Sequence, residues 1–324
     1  MTTTTVSNIE GGARPTVSVG MPVYNGERFV GEAIESILRQ TYDDWELVIC
    51  DNASTDSTPE ICRAYARRDP RVRFYRMCRN FGAARNFNRT IELSRGRYFR
   101  WHAHDDLIAP TFLEKCVEVL DNHPEVVLVY PRRQYITLDG RPMRSADFWN
   151  DEDTDKSLHD VDFARLLRLH SSYYVVMEFG LTRIDQLNRT GRMGAYCTAD
   201  AVLLPELRFL GRFYEIPETL FFQRVHDEAE YAPRLTKRGE AIFMNPDHQP
   251  LLILPGLKIY WELSKSIAAA PLQTHERWQA YRDLCAHLWP RAKRLMRLSA
   301  LAGKVRQAWK WSHPSEPIGQ MRTN

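Results

Sequence analysis

Apolar runs and helix-spaced apolar repeats alternate along the first part of the chain. Thr16 to Met21 is a β-branched run closed by Pro22, the signature of a buried strand. From Glu27 to Arg39 the apolar positions Phe29, Val30, Ala33, Ile34, Ile37 and Leu38 recur at helical spacing. Trp45 to Cys50 reads as the next strand. Asp56-Ser57-Thr58-Pro59-Glu60 then carries N-cap and N1-proline signals for a helix reaching about Arg67. Val72 to Tyr75 predicts a third strand and Ala83 to Leu93 a helix, ended by Gly96. Tyr98 to Trp101, Thr111 to Leu120 and Val126 to Tyr130 predict strand, helix and strand. Such alternation predicts a parallel, doubly wound sheet with right-handed crossovers.

The rhythm changes after Tyr130. Arg141 to Asp160 is charged and turn-rich and reads as a long loop or lid. Val161 to Leu169 reads as helix, Tyr173 to Phe179 as strand and Ala199 to Leu210 as helix. Two short strands are expected at Phe213 to Ile216 and Leu220 to Arg224. Beyond Arg234 the chain is helix-forming with proline breaks. Residues 1–14 read as a disordered tail, 15–234 as one α/β domain, and 235–324 as a helical extension.

Composition narrows the class. With 44 Lys and Arg against 41 Asp and Glu, bulk charge implies no nucleic-acid partner. The six cysteines form no C-x-x-C pair, which argues for reduced thiols, a cytoplasmic setting and no zinc ribbon. The N-terminus lacks the apolar core of a signal peptide, and no stretch is long and apolar enough to span a bilayer. Charge is uneven, however. Trp289 to His313 holds seven Lys and Arg and no acid, with Leu295, Leu298, Leu301, Ala302, Val305 and Trp309 at helical spacing. Residues 289–311 therefore read either as a peripheral contact to an anionic membrane surface or as a helix packed on the domain with a solvated basic face.

Chemistry concentrates at strand ends. Asp51-Asn52 closes the second predicted strand, and Trp101-His102-Ala103-His104-Asp105-Asp106 closes the fourth. Carboxylates gathered where an open α/β sheet binds ligands call for a cation, and a divalent metal holding a phosphate is the usual one. No G-x-G-x-x-G follows a strand, which removes the dehydrogenase reading. Pro22-Val23-Tyr24-Asn25 stands where a nucleotidyltransferase would carry a glycine-rich loop.

Taken in order, Pro22-Val23-Tyr24-Asn25, Ala33 to Tyr42, Glu46 to Asp56, Asn80-Phe81-Gly82-Ala83-Ala84-Arg85-Asn86 and His104-Asp105-Asp106 resemble family 2 glycosyltransferases of the inverting, bacterial type. The resemblance runs strongly from Pro15 to Tyr130 and weakly from Gly194 to His226. It implies a GT-A-like (Rossmann-like) mostly parallel sheet flanked by helices, with a C-terminal helical extension. Residues 15–130 would take the nucleotide-sugar donor, UDP- or dTDP-linked. Residues 131–234 would take an acceptor hydroxyl on a glycan, a lipid-linked sugar or a natural product. Nucleotide-sugar contacts then fall to Pro22, Val23, Tyr24, Asn25, Glu27, Asp51, Asn52, Asn80, Arg85 and Asp105. Asp106 and His226 would hold Mn2+ or Mg2+, with Asp105 on the ribose or the metal, and Asp200 would be the general base. His102 and His104 flank the acids as further candidate ligands. Three positions depart from the family pattern: Asn52, Ala103 and Ala199 stand where acids are common. They keep open the alternative of a catalytically degenerate, nucleotide-binding scaffold.

Overall fold

A computed structural model describes residues 14–143, 161–169, 171–226, 237–247 and 255–289. The expected lid is described only as far as residue 143, and the expected basic helix only at its first residue, Trp289. The first half follows the strand and helix alternation: β1 (Val17–Val23), α1 (Val30–Leu38), β2 (Trp45–Asp51), α2 (Thr58–Arg68), β3 (Val72–Arg76), α3 (Ala83–Leu93) and β4 (Tyr98–Trp101). β1, β2 and β4 are buried along their whole length, as strands covered on both faces must be. Next come β5 (Leu107–Ile108), α4 (Phe112–Asn122), β6 (Val126–Ile136), α5 (Phe163–Leu166), α6 (Ser171–Glu178), β7 (Leu181–Arg183) and α7 (Ile184–Leu187). The described elements end with α8 (Asp200–Leu210), β8 (Arg212–Arg224), α9 (Lys237–Met244) and α10 (Pro255–Ala269), and a last helical stretch covers 274–289.

The strands form one mixed eight-stranded sheet in the order β3-β2-β1-β4-β7-β6-β8-β5. β3-β2-β1-β4 is parallel throughout, as the alternation predicts. The doubly wound expectation stops there. β7 inserts antiparallel between β4 and β6, so the two longer strands are not neighbours. At three residues, β7 is too short to leave a periodic signal.

Two expected elements change form. Tyr173 to Phe179 lies largely in the helix α6, not a strand. Tyr174, Val175, Val176 and Met177 are all buried, and four consecutive buried positions cover every side of a helical turn, leaving no polar face there to reveal the period. The two short strands expected near the end are one strand, β8, running parallel beside β6. Pro217, between the two expected strands, falls where the β6–β8 register skips, a position that tolerates proline.

Helix α3 rides close over β1 because Gly20 has no side chain. A Cβ there would lie 2.5 Å from Thr90 Oγ1 and 2.8 Å from the Phe99 ring. At the opposite strand ends, buried Glu46 ties three elements together. It accepts from Ser18 Oγ (2.7 Å), the Arg95 backbone N–H (2.7 Å) and Arg73 Nη1 (2.6 Å). Burial alone would push its carboxyl up; the Ser18, Arg73 and Arg95 bonds reverse that and hold it below its ordinary value. A depressed carboxylate stabilises the fold at neutral pH and loses that contribution as pH falls through its folded-state value. Glu46→Ala should cost about 2–3 kcal/mol, discounted because Arg73 and Arg95 keep some water. Chemical denaturation at neutral and at acid pH checks this, with the gap to wild type expected to narrow in acid.

Candidate functional site

Strands β2, β1 and β4 are parallel neighbours, so their carboxyl ends share one edge of the sheet. Asp51 ends β2, Tyr24 and Asn25 follow β1, and the turn 102–106 follows β4. The carboxyl edge of an open α/β sheet is where ligands bind. The β1 and β4 loops touch there: a Cβ on Gly26 would lie 2.5 Å from the His104 ring.

The β1 loop is held by side-chain to backbone bonds. Asn25 has φ 51, and its Oδ1 accepts from the Thr55 backbone N–H (2.8 Å). Its own backbone N–H donates to Ser54 Oγ (2.8 Å). Glu27 and Asp56 exchange places across the gap. The Ser57 N–H donates to Glu27 Oε2 (2.8 Å), and the Glu27 N–H donates to Asp56 Oδ2 (3.0 Å). Asn25 and Glu27 thus act as latches between loops. Pro22 and Val23 lie buried in β1, and the Val23 carbonyl accepts from Asn52 N (2.9 Å) and Asn86 Nδ2 (3.3 Å). Tyr24 keeps 42 % of its surface exposed, a flat ring beside the edge.

Asp51 is fully buried. Its Oδ1 accepts from the Ser54 N–H (3.0 Å). Its Oδ2 lies 3.2 Å from Arg76 Nε but has no aligned hydrogen-bond donor. A buried carboxylate oxygen short of a donor is costly unless a ligand N–H or O–H completes it. Asn52 turns the other way and organises the 80–82 loop. Its Nδ2 donates to Asn80 Oδ1 (2.9 Å) and its Oδ1 accepts from the Phe81 N–H (3.0 Å). Asn80 Oδ1 also takes the Gly82 N–H (2.8 Å). A carboxylate at position 52 has no donor to offer Asn80, so the amide suits the loop. Arg85 is exposed on the first turn of α3, its guanidinium 4.2 Å from the centre of the Phe81 ring. Arg79 covers the same ring and pairs with Asp247 (2.8 Å to each oxygen).

The two carboxylates after β4 part company. Asp105 Oδ2 pairs with His226 Nε2 at 2.9 Å, on the end of β8. Asp106 is turned inward, 3 % exposed, and its Oδ1 accepts the Arg224 backbone N–H (2.9 Å). Arg224 completes the bracket. Its Nε donates to the Asp105 carbonyl (2.9 Å), its Nη2 to Glu32 Oε2 on α1 (2.7 Å), and its guanidinium covers Phe29. Behind Asp106 lie buried Arg100 and His102. Burial pushes the Arg100 guanidinium down to about 9 and, together with the Arg100 charge, holds His102 well below its ordinary value. Burial and then the Asp105 charge push the Asp106 carboxyl well up, whereas the His104 and His226 rings outweigh burial and hold Asp105 down.

The expectation that Asp106 receives a metal meets that obstacle: its oxygen is engaged in the interior and its charged form is disfavoured. His102 is sealed in the core and not placed as a ligand. Among the described residues no three metal-ligating side chains cluster. Asp105 and His226 do converge, and His226 Nδ1 is buried without a partner among those residues. One carboxylate and one imidazole fit a hard-to-borderline divalent ion that takes its other ligands from diphosphate and water.

Asp200 opens α8, 9 % exposed. Its Oδ1 accepts from the Ala201 N–H (2.9 Å), and burial pushes its carboxyl up to about 6. The preceding Ala199 packs with Ala84 and Met244. The residue before α8 thus shares a small apolar cluster with Ala84 on the first turn of α3, the helix that follows the Asn80 loop.

A profile described as Glycosyl transferase family 2 matches residues 18–180, half of the chain. The chain belongs to this family. Similar proteins include a putative glycosyltransferase, EpsE, of Bacillus subtilis, 42% identical over 110 residues (34% of this chain, 40% of that one). An uncharacterized glycosyltransferase, MJ1057, of Methanocaldococcus jannaschii is 29% identical over 164 residues (50% and 56%). The chain spans only 13% to 56% of the length of the first three curated relatives it matches. Among solved structures, Staphylococcus aureus TarS 1-349 in complex with UDP-GlcNAc aligns with TM-score 0.61 at 16% identity, covering 85% of this chain and 73% of that one. Mannosyltransferase PcManGT of Pyrobaculum calidifontis, in complex with GDP-Man and Mn2+, aligns at TM-score 0.53 and 21% identity (92% and 88%). The shared architecture is the GT-A fold of family 2 enzymes.

Sequence reasoning missed three residues of this candidate site, Glu32, Arg76 and Arg224, the last read only as the end of a short strand. Glu32 sits on α1 and is joined to Arg224 only by the fold. Arg76 was one of several nearby arginines in sequence; the β2–β3 register, which sets Arg76 opposite Asp51, singles it out.

Proposed function

We propose that this chain is an inverting glycosyltransferase that moves a sugar from a nucleotide-diphospho-sugar, UDP- or dTDP-linked, to an acceptor hydroxyl. The observation that carries the reading is the row of Asp51, Tyr24 and Asp105 along adjacent parallel strand ends. Asp51 Oδ2 takes a donor from the base or ribose, and Tyr24 stacks beside it. Arg85, exposed at the start of α3, offers charge to the diphosphate. Asp105 and His226 hold Mn2+ or Mg2+, which when bound neutralises the leaving diphosphate. Asp106 is a structural acceptor that seats Arg224. Residues 15–130 serve the donor and 131–234 the acceptor.

Asp200 accepts the proton of the acceptor hydroxyl. The hydroxyl oxygen bonds to the anomeric carbon as that carbon's bond to the diphosphate oxygen breaks, which inverts the centre. A carboxyl raised to about 6 is charged at neutral pH yet more basic than an ordinary aspartate. The neighbouring structures, whose own ligands are UDP-GlcNAc and GDP-Man with Mn2+, support a donor of this class. The degenerate-scaffold reading loses ground at the three departures. Asn52 is needed as an amide, and Ala103 and Ala199 pack against apolar clusters.

A thermal-shift series with UDP-, dTDP- and GDP-sugars, with and without Mn2+, tests the donor. A ligand at 100 times its dissociation constant adds about 2.7 kcal/mol and should raise Tm by several degrees. Binding that never yields released nucleoside diphosphate, with acceptors across glycan and lipid classes, would return the scaffold reading. No shift with any donor would remove both.

A further inference from the structure

The donor site leaves one region of the molecule unexplained. Helix α10 and the stretch 274–289 bury one stripe each, Leu263 and Ile267 from the first and Ala280 and Leu284 from the second, in a cluster with Phe163 and Val202. They are bonded to each other, the Tyr281 hydroxyl donating to the Ser264 carbonyl (3.2 Å) and Arg277 Nη2 to the carbonyls of Ala270 and Leu272 (3.1 Å each). The opposite stripes face out. On α10 that stripe is Leu257, Trp261 and Lys265, spaced four apart; on the second it is Trp278, Arg282, Cys285 and Trp289. Leu257 is 57%, Trp261 65%, Trp278 72% and Trp289 58% exposed. Exposed indoles in this number are unusual on a surface that meets only water.

We propose that this outer face docks on an anionic lipid surface. The inference is independent of the donor site and names the partner by its chemistry. Tryptophan is the side chain suited to a bilayer interface, apolar in body and polar at one edge. Lys258, Lys265 and Arg282 stand exposed among the indoles. Three acids share the two stretches: Glu262 is mostly covered and clamped between Lys258 and Lys265, Asp283 is mostly covered 3.9 Å from Arg282, and Glu276 is exposed near the start of 274–289. A second copy of the chain would set these cations against one another. So would the chain that follows, since 290–313 adds seven cations and no acid. Charge complementarity therefore points to an anionic partner, and the apolar indoles to a lipid one. Among the described residues no helix is long and apolar enough to cross a membrane, so the contact is with the surface.

The test uses the full chain with vesicles of phosphatidylcholine, alone or with phosphatidylglycerol. Sedimentation with the anionic vesicles and a blue shift of tryptophan emission are expected, both weakened by salt. Trp261→Ser with Trp278→Ser, and separately Lys258→Gln, Lys265→Gln and Arg282→Gln together, should each weaken partition by about tenfold or more. Circular dichroism and donor binding of both sets, and the Tm of the tryptophan pair, should match wild type, which separates a docking face from a structural one; the cation set is not judged by Tm because it strips Glu262 of both its ion pairs. Equal binding to neutral vesicles, no binding to either, or binding untouched by both variant sets and lost only when 290–324 are removed would each overturn the proposal. So would a concentration-dependent dimer that the tryptophan variants abolish.

Discussion

Asp200→Asn is expected to abolish transfer, leave donor binding intact and make the protein more stable at neutral pH. The amide is nearly isosteric with the carboxylate and still accepts the Ala201 N–H, so the start of α8 keeps its shape. It cannot take a proton from the acceptor, and loss of a general base costs on the order of 10²–10⁴ in rate. The stability effect runs the other way from most site mutations. Burial raises the Asp200 carboxyl from 3.8 to about 6 in the folded state. Between those values the folded protein binds the proton better than the unfolded chain does. Stability therefore falls as pH rises through that window, and the deficit persists above it. The deficit is about 2–3 kcal/mol at neutral pH, since each pKa unit corresponds to about 1.4 kcal/mol. Asparagine carries no charge to desolvate and escapes it. The wild-type rate should decline about tenfold per pH unit below about 6, as the base is protonated. Denaturant unfolding of both proteins across pH, beside single-turnover rates, gives the answer. Full transfer by Asp200→Asn, or a variant less stable than wild type at neutral pH, would take Asp200 out of the role.

The four-strand parallel half was legible because each element carries its own periodicity and its own punctuation. Pro59 starts α2, Gly96 separates α3 from β4, and the β-branched runs of β1 and β2 are too short and too apolar to be surface helices. Legibility failed where local pattern and tertiary environment part. Helix α6 is surrounded by apolar neighbours, so its sequence shows hydrophobicity without period. β7 is defined wholly by the strands on either side. The same distinction divides the site. Asp51 and Asp105 could be found from strand ends alone. The separate fates of Asp105 and Asp106 could not, because alternation says that adjacent side chains diverge and not which one meets the interior. What decides it is Arg224, more than a hundred residues away, whose backbone N–H claims Asp106 and whose successor but one, His226, claims Asp105. The departures at Asn52 and Ala199 were likewise ambiguous as letters and become structural once their partners, Asn80 and Ala84, are seen.

That division of labour gives the second large effect. Asp105→Asn should cost on the order of 10³-fold in metal-dependent turnover while the protein stays folded. Neutralising the leaving diphosphate is worth several kcal/mol of barrier. The Asp105 carboxylate is partly open to the rim and bonded to His226, so its replacement leaves no large interior defect. Asp106→Asn should behave differently. The amide oxygen still receives the Arg224 N–H, and burial already disfavours the charged carboxylate at this position. Metal affinity and rate should stay within a few-fold of wild type. Asp106→Ala removes the acceptor and strands a buried N–H, at a cost of about 1–3 kcal/mol. It also loosens the backbone that carries the Arg224 guanidinium, which spans Glu32, Phe29 and the Asp105 carbonyl, so both Tm and donor affinity should fall together. Calorimetric Mn2+ titration in the presence of nucleotide, with Tm measured on each variant, separates the three. If Asp106→Asn loses the ion and Asp105→Asn keeps it, the assignment of the metal to Asp105 and His226 is wrong and the inward turn of Asp106 must open when the donor binds.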